Sequence, residues 1–420
     1  MATSRDARGR LLLGGVALES LLGPHGTPTY VYDLDAITAE ARALQAAFEG
    51  APHLVAYAVK ANSAGPIVRA LAAEGCGADV VSGPELALAR RCGIAPSAIV
   101  FSGVGKRDDE IDLAVSESIA AIQIESVEEL SRVAARARGQ KRRAKVSIRV
   151  NPEIDPDEIA THAHIATGHD EAKFGVARAD LADALAVVDA AKDALELVGL
   201  SAHVGSQFTR TDEYLTSAAR LFDVALELRA KYTWSFLDTG GGFGVDYGAG
   251  CAVRPADFVA ATRSLARDRG LDGVALHVEP GRALVATHAV LLARTVQTKV
   301  PRGGVRQWLI VDAGMNDLIR PALYQAKHRV VALTDAGGPR TSYRVVGPVC
   351  ESSDDFGDHE LPVGDIEAVA LLDAGAYGYT MASRYNGRAL PAEVFLRNGA
   401  IEHVIARGTD EDWIKSRLGS

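Results

Sequence analysis

Between about residues 30 and 285 the chain alternates short apolar, β-branched runs with longer stretches in which apolar residues recur every three or four positions. The first pattern predicts buried strands and the second amphipathic helices, and their regular alternation predicts a parallel sheet wrapped by helices. Eight strand-like runs occur, at 55–59, 78–81, 99–102, 121–124, 146–150, 198–203, 234–238 and 275–278. Helical patterning fills the intervals, as at 64–74, 126–137 and 255–269. Ser82-Gly-Pro-Glu85 and Ser126-Val-Glu-Glu129 read as capping boxes, in which a hydroxyl and a carboxylate three residues apart satisfy the free N–H groups of a first helical turn. Eight strand and helix repeats predict an α/β fold built on a (β/α)8 TIM-like barrel.

Past residue 286 the rhythm changes to closely spaced runs at 308–311, 343–346 and 368–372, separated by Gly, Pro and Asp turns. That pattern predicts a smaller, mostly β C-terminal domain. The early stretch 11–32 is expected to join it, which gives a barrel over 33–285 and a discontinuous β domain from 1–32 and 286–420. Gly337-Gly-Pro339 reads as a hairpin tip or surface loop.

A length of 420 residues exceeds what one core organises, in keeping with two domains. With 45 basic against 54 acidic side chains the net charge is −9, which disfavours nucleic acid and anionic membrane as partners. Cys76, Cys92, Cys251 and Cys350 form no CxxC pair and no cluster with histidines, so zinc and dithiol chemistry are disfavoured and no metal is expected. Leu11-Leu12-Leu13 is interrupted by Gly14-Gly15 and Glu19 before it could act as a signal or a span, and a cytoplasmic location is expected.

Active sites of such barrels lie at the carboxyl ends of the strands. Here those ends read Lys60-Ala-Asn62, Arg149-Val-Asn151, His203-Val-Gly-Ser206-Gln207, Asp238-Thr-Gly-Gly-Gly242 and Glu279-Pro-Gly-Arg282. Lys60 follows an apolar strand, where desolvation lowers an amine's pKa and favours Schiff-base chemistry, although a lone lysine after a strand is more often a surface residue. The glycines after strand seven and Gly281-Arg282 after strand eight suit a phosphate bound by backbone N–H groups, and the spacing is not GxGxxG. An amine, a phosphate cradle, a flat imidazole at His203 and a carboxylate at Glu279 together match the needs of pyridoxal phosphate.

The same segments, joined by Ile165-Ala-Thr-Gly168, Lys173-Phe-Gly175, Val311-Asp-Ala-Gly-Met-Asn, Gly347-Pro-Val-Cys-Glu-Ser352, Asp373-Ala-Gly-Ala-Tyr-Gly378 and Tyr385-Asn386, run through nearly the whole chain. In this order they resemble the barrel-type pyridoxal-phosphate-dependent decarboxylases and, within them, the diaminopimelate decarboxylases. The resemblance implies decarboxylation of meso-2,6-diaminopimelate to L-lysine and carbon dioxide, the last step of lysine biosynthesis. It implies that Lys60 holds the cofactor, His203 stacks on its ring and Glu279 keeps its pyridine nitrogen protonated. Ser206, Gly241, Gly242, Gly281, Arg282 and Tyr377 would surround the phosphate. Cys350 would return a proton to the α-carbon; Arg282, Arg320 and Tyr324 would receive the distal carboxylate, Glu351 the distal ammonium, and Tyr377 would also bind substrate. A homodimer is implied, with the Cys350-Glu351 segment and Tyr377 completing the other subunit's site. Ser353 stands where the family more often has glycine, so the loop carrying Cys350 is expected to differ if that position needs a positive φ. Alternatives are a related barrel enzyme acting on another amino acid, such as a carrier-linked one, and a non-catalytic binder of the cofactor.

Overall fold

The computed structural model describes residues 3–152, 173–248, 253–300, 303 and 306–419. The 165–168 motif and Cys251 lie outside the described residues. The chain divides into two compact units, one comprising 1–39, 246–250 and 284–420, the other 40–245 and 251–283.

The second of these is a closed barrel of eight parallel strands. They are β1 (His53–Ala58), β2 (Gly77–Val80), β3 (Ile99–Phe101), β4 (Ala121–Ile124), β5 (Ala144–Arg149), β6 (Leu195–Ser201), β7 (Phe236–Asp238) and β8 (Ala275–Val278). Each pairs with the next, and β8 closes on β1 through Leu276–His53, His277–Leu54 and Val278–Val55. Helices on the outside and side chains on the inside bury the strands on both faces, which is why the sequence shows them as continuous apolar runs. The helices patterned at 64–74, 126–137 and 255–269 are Gly65–Ala73, Val127–Gly139 and Pro255–Asp268. Terminal residues of β1 differ from expectation: the strand stops at Ala58, and Val59–Ala61 form one 3₁₀ turn that carries Lys60.

The two predicted capping boxes are half made. Ser82 and Ser126 accept the N–H groups of Glu85 and Glu129 at 3.3 and 3.1 Å. The returning carboxylates reach one residue further back than a capping box requires, to the N–H groups of Val81 and Glu125, both at 2.8 Å. That longer return ties each helix start to the end of the strand before it, at the barrel rim.

The other unit is a predominantly antiparallel sheet. Thr29–Asp33 lies between Ala289–Lys299, antiparallel to it, and Ala392–Arg397, parallel to it. Ala289–Lys299 continues outward to Gln307–Val311, Arg340–Val346 and Asp355–Pro362, and Ala368–Leu372 pairs with its buried first half. Leu11 and Leu13, from the N-terminal apolar run, pack with Val31, Val290, Leu292, Ala370, Val394 and Leu396 in one buried cluster. No helix among the described residues is long and apolar enough to cross a membrane.

Candidate active site

Three carboxyls lie buried at the carboxyl ends of the barrel strands: Asp79 on β2, Asp238 on β7 and Glu279 after β8. Gln123 on β4 donates its side-chain amide to Asp238 Oδ2 at 3.1 Å and to Glu279 Oε1 at 3.2 Å. Asp238 Oδ1 accepts the N–H of Gly240 at 2.9 Å, and the Ser102 hydroxyl donates to Glu279 Oε1 at 3.4 Å. Burial is the main cause that pushes Asp238 up to about 7, with the charge of Asp79 adding to it and the Gly240 N–H opposing. Burial likewise lifts Glu279 well above the usual carboxyl range, helped by Asp238 and Asp79 and opposed by Lys60 and Arg149. Carboxyls in contact inside a protein do not ionise together, so this pair retains a proton near neutral pH.

Lys60 Nζ lies 3.1 Å from Asp79 Oδ2. The desolvation expected for this amine is accordingly replaced by an ion pair, and the lysine side chain is 37% exposed while Asp79 is fully buried. The second oxygen, Asp79 Oδ1, has no hydrogen-bond partner among the described residues. One of the ammonium's contacts is thus to a fully buried carboxylate oxygen.

His203 follows β6, partly exposed at the rim. Burial of its ring, reinforced by the charges of Arg149 and Lys60, holds the imidazole well below its ordinary pKa, so it is neutral near pH 7. A neutral, flat ring suits stacking.

The glycines of the β7 loop are required by the protein's own packing, a different reason from the unobstructed phosphate approach expected from sequence. A Cβ on Gly241 would stand 2.0 Å from the Glu279 carbonyl oxygen, and one on Gly242, at φ +88°, would stand 2.3 Å from the Gly205 carbonyl oxygen. The loops after β6, β7 and β8 are therefore in backbone contact. Gly281 presses on the Lys60 turn, where a Cβ would meet the methyls of Ala58 and Ala61 at 3.0 Å. Among the described residues the N–H groups of Gly241, Gly242 and Gly281 have no hydrogen-bond acceptor. Beside them Arg282 Nη2 donates to Ser206 Oγ at 3.3 Å. The barrel unit thus brings together Lys60, His203, Ser206, Gly241, Gly242, Glu279, Gly281 and Arg282.

The remaining predicted residues belong to the sheet unit. Arg320 opens the short helix Arg320–Tyr324 and is buried; its Nη1 bonds to His328 Nε2 at 2.9 Å, and its guanidinium carbon lies 5.0 Å from the Tyr247 ring centroid. His328 Nδ1 lies 2.9 Å from the Leu372 carbonyl, which makes Nδ1 the protonated nitrogen and Nε2 the acceptor for Arg320. Tyr324, at the other end of that helix, is partly exposed. Cys350 and Glu351 are exposed on a loop pinned from beneath. Asp354 accepts the N–H groups of Val349 and Met315, both at 2.6 Å, Asn386 Oδ1 accepts the Cys350 N–H at 3.1 Å, and the Tyr385 hydroxyl donates to Glu351 at 2.6 Å. Ser353 is not among the residues with positive φ, so the substitution for glycine strains nothing here. Tyr377 is left-handed, at φ +55°, an uncommon conformation for a tyrosine that often marks functional loops.

Asp79 and Gln123 were not singled out by the sequence reading. Each is one polar residue within an otherwise apolar strand, a signal available to a position-by-position comparison of neighbouring strands.

The pyridoxal binding domain of the pyridoxal-dependent decarboxylases matches residues 34–286. A diaminopimelate decarboxylase of Pseudomonas aeruginosa is 40% identical over 405 residues, covering 96% of this chain and 95% of that protein. The crystal structure of diaminopimelate decarboxylase from Helicobacter pylori complexed with L-lysine has a TM-score of 0.89 at 36% identity, over 96% of this chain and 99% of that one. Its counterpart from M. jannaschii, also in complex with L-lysine, has a TM-score of 0.91 at 32% identity, over 99% and 97%.

Proposed function

The chain belongs to the pyridoxal-dependent decarboxylases, in the diaminopimelate decarboxylase family, and on that premise we propose that it converts meso-2,6-diaminopimelate to L-lysine and carbon dioxide with pyridoxal 5'-phosphate as cofactor. One observation carries the reading: a lysine amine and a protonated carboxyl pair, Glu279 and Asp238, gathered at the carboxyl end of one barrel. A ring nitrogen able to share a proton with Glu279 suits that pair. When bound, pyridoxal phosphate provides an electron sink for the pair released as the carboxylate leaves.

The chain's own residues have these proposed roles. Lys60 attaches the cofactor, with Asp79 orienting the amine beforehand. His203 offers a neutral face to the ring. The N–H groups of Gly241, Gly242 and Gly281, with Ser206, Arg282 and Tyr377, form the phosphate cradle, a donor set fitted to a dianion. Glu279 keeps the ring nitrogen protonated. Arg282, Arg320 and Tyr324 receive the distal carboxylate, Glu351 the distal ammonium, and Tyr377 also binds substrate. Cys350 delivers a proton to the α-carbon. The exposure of Cys350 and Glu351 on a pinned loop supports a homodimer in which that loop and Tyr377 serve the other subunit's site. The net charge of −9 suits a small amino acid better than nucleic acid as the partner, and a cytoplasmic location completes the proposal.

The test is carbon dioxide release and product identity when protein loaded with pyridoxal phosphate meets meso-, LL- and DD-diaminopimelate, ornithine and arginine. L-Lysine from the meso isomer alone is expected. Cofactor absorbance with turnover of none of these would place the substrate elsewhere in the wider family.

A further inference from the structure

The Lys173-Phe-Gly175 segment has no part in the chemistry above, yet it is bonded firmly into the barrel rim. The Val176 N–H donates to the Arg149 carbonyl at 2.7 Å, and the Val176 carbonyl accepts the Asn151 N–H at 2.9 Å. Gly175 turns through φ +79°, a conformation open to glycine, and its N–H meets Glu125 Oε2 at 2.8 Å. The Phe174 ring packs on the Arg149 guanidinium, 4.9 Å from carbon to centroid.

Glu125, immediately after β4, is the common element. Its Oε1 accepts the Gly103 N–H at 3.1 Å and Arg149 Nη1 at 3.1 Å. The Glu125–Arg149 ion pair is well shielded, with side-chain exposures of 3% and 12%. Arg149 Nη2 then donates to the His203 carbonyl at 2.8 Å. A single carboxylate therefore joins the loops after β3, β4 and β5 and, through a guanidinium fork, reaches the backbone of the loop after β6. A fork can serve two acceptors at fixed separation, which a lysine ammonium cannot.

We propose that Glu125 is a positioning residue for the cofactor face of the barrel: through Arg149 it fixes where the His203 ring lies, and through Gly175 it latches the 173–176 segment to the same point. This rests on the functional reading above, in which His203 is the group that stacks on the cofactor. It also gives the Phe174-Gly175 pair a purpose, since glycine aims the N–H and phenylalanine backs the guanidinium.

The test compares wild type, Glu125→Gln and Arg149→Lys, all loaded with pyridoxal phosphate. Three quantities are read: amide hydrogen exchange of the peptides containing Gly103 and Gly175, circular dichroism of the cofactor's visible band, and kcat and KM for meso-diaminopimelate. Glu125→Gln keeps the size but removes the charge that holds Arg149; Arg149→Lys keeps the charge but loses the fork. Both variants are expected to lose dichroic intensity and to show kcat lowered on the order of tenfold to a hundredfold, since small misplacement of a positioned group has effects of that size. KM should stay within about twofold, because no substrate contact is removed. Faster exchange is expected in Glu125→Gln at one or both glycine peptides. If either variant folds with a wild-type dichroic band and kcat, the proposal is overturned, and a lowered melting temperature with those two unchanged overturns it equally by showing a purely structural role. Failure of wild type to take up the cofactor would instead sink the functional reading, while amide exchange would still report on the latch.

Discussion

Asp238 and Glu279 are held side by side by one donor, the Gln123 amide, which reaches the two carboxyls at 3.1 and 3.2 Å. The arrangement stores a proton at the carboxyl end of the barrel. It also opposes two demands, because a second buried carboxyl destabilises the cofactor-free protein while providing the group that a ring nitrogen can use.

Glu279→Gln should therefore move stability and activity in opposite directions. The cofactor-free variant should melt higher than wild type at pH 8, where ionising the pair is costly, and turnover should fall on the order of 10²-fold or more, as for loss of a positioned acid or base. Thermal melts and carbon dioxide release read the two effects. Ordinary turnover would remove Glu279 from the cofactor.

Lys60→Ala and Cys350→Ala should separate attachment from proton delivery. The first should lose both the visible cofactor band and activity. The second should keep the band, since Cys350 lies on a loop held by Asp354 and Asn386 through backbone N–H groups that alanine retains. Its turnover should drop by roughly 10²–10⁴-fold, the range for general acid catalysis. Unchanged turnover in Cys350→Ala would exclude the thiol as the donor.

Arg320→Ala should chiefly raise KM, because a contact made equally by ground and transition states is lost. Its burial against Tyr247 and His328 adds a second effect: the variant should also be less stable, by about 1–3 kcal/mol for a buried acceptor left unpaired at His328. Steady-state kinetics and a urea melt measure these. A lowered kcat with unchanged KM would contradict anchoring of the distal carboxylate.

Glu393, which has no part in the proposed chemistry, offers a pH test. It is buried, accepts the Tyr32 hydroxyl at 2.9 Å, and burial raises its carboxyl from 4.5 to about 7. The folded state thus binds this proton more tightly than the unfolded state, so the associated stability is complete below about pH 4.5 and is lost as pH rises through 7. Glu393→Gln should flatten that decline, which amounts to at most about 3 kcal/mol. Melts at pH 5 and pH 8 decide it; an unchanged pH dependence in the variant would show that Glu393 ionises freely.

The barrel was legible because its strands are buried on both faces and so appear as mostly apolar runs. Asp79 and Gln123 each break such a run with one polar residue, but a strand buried on both faces shows no alternation to indicate which positions face the interior. Val59 continues the apolar run of β1 yet belongs to the turn that carries Lys60, which packs closely against Gly281 of a distant loop. The need for glycine at 241 and 242 was visible, but its cause was not, since the missing Cβ atoms point at carbonyls of Glu279 and Gly205, respectively 38 and 37 residues away in sequence. In the sheet unit, Ala289–Lys299 passes from buried to exposed at Arg294, so the apolar signal of this long strand fades halfway along it.

The placement of Thr29–Asp33 in the middle of the sheet has a consequence for synthesis of the chain. One flanking strand begins at Ala289 and the other ends at Arg397, so this early segment leaves the ribosome long before either partner exists. At roughly 5–20 residues per second it waits about 20–70 s for the second of them. During that interval the barrel can form behind it while an apolar strand with two open edges stays unpaired, which makes this nascent segment the stretch on which a holding chaperone would act.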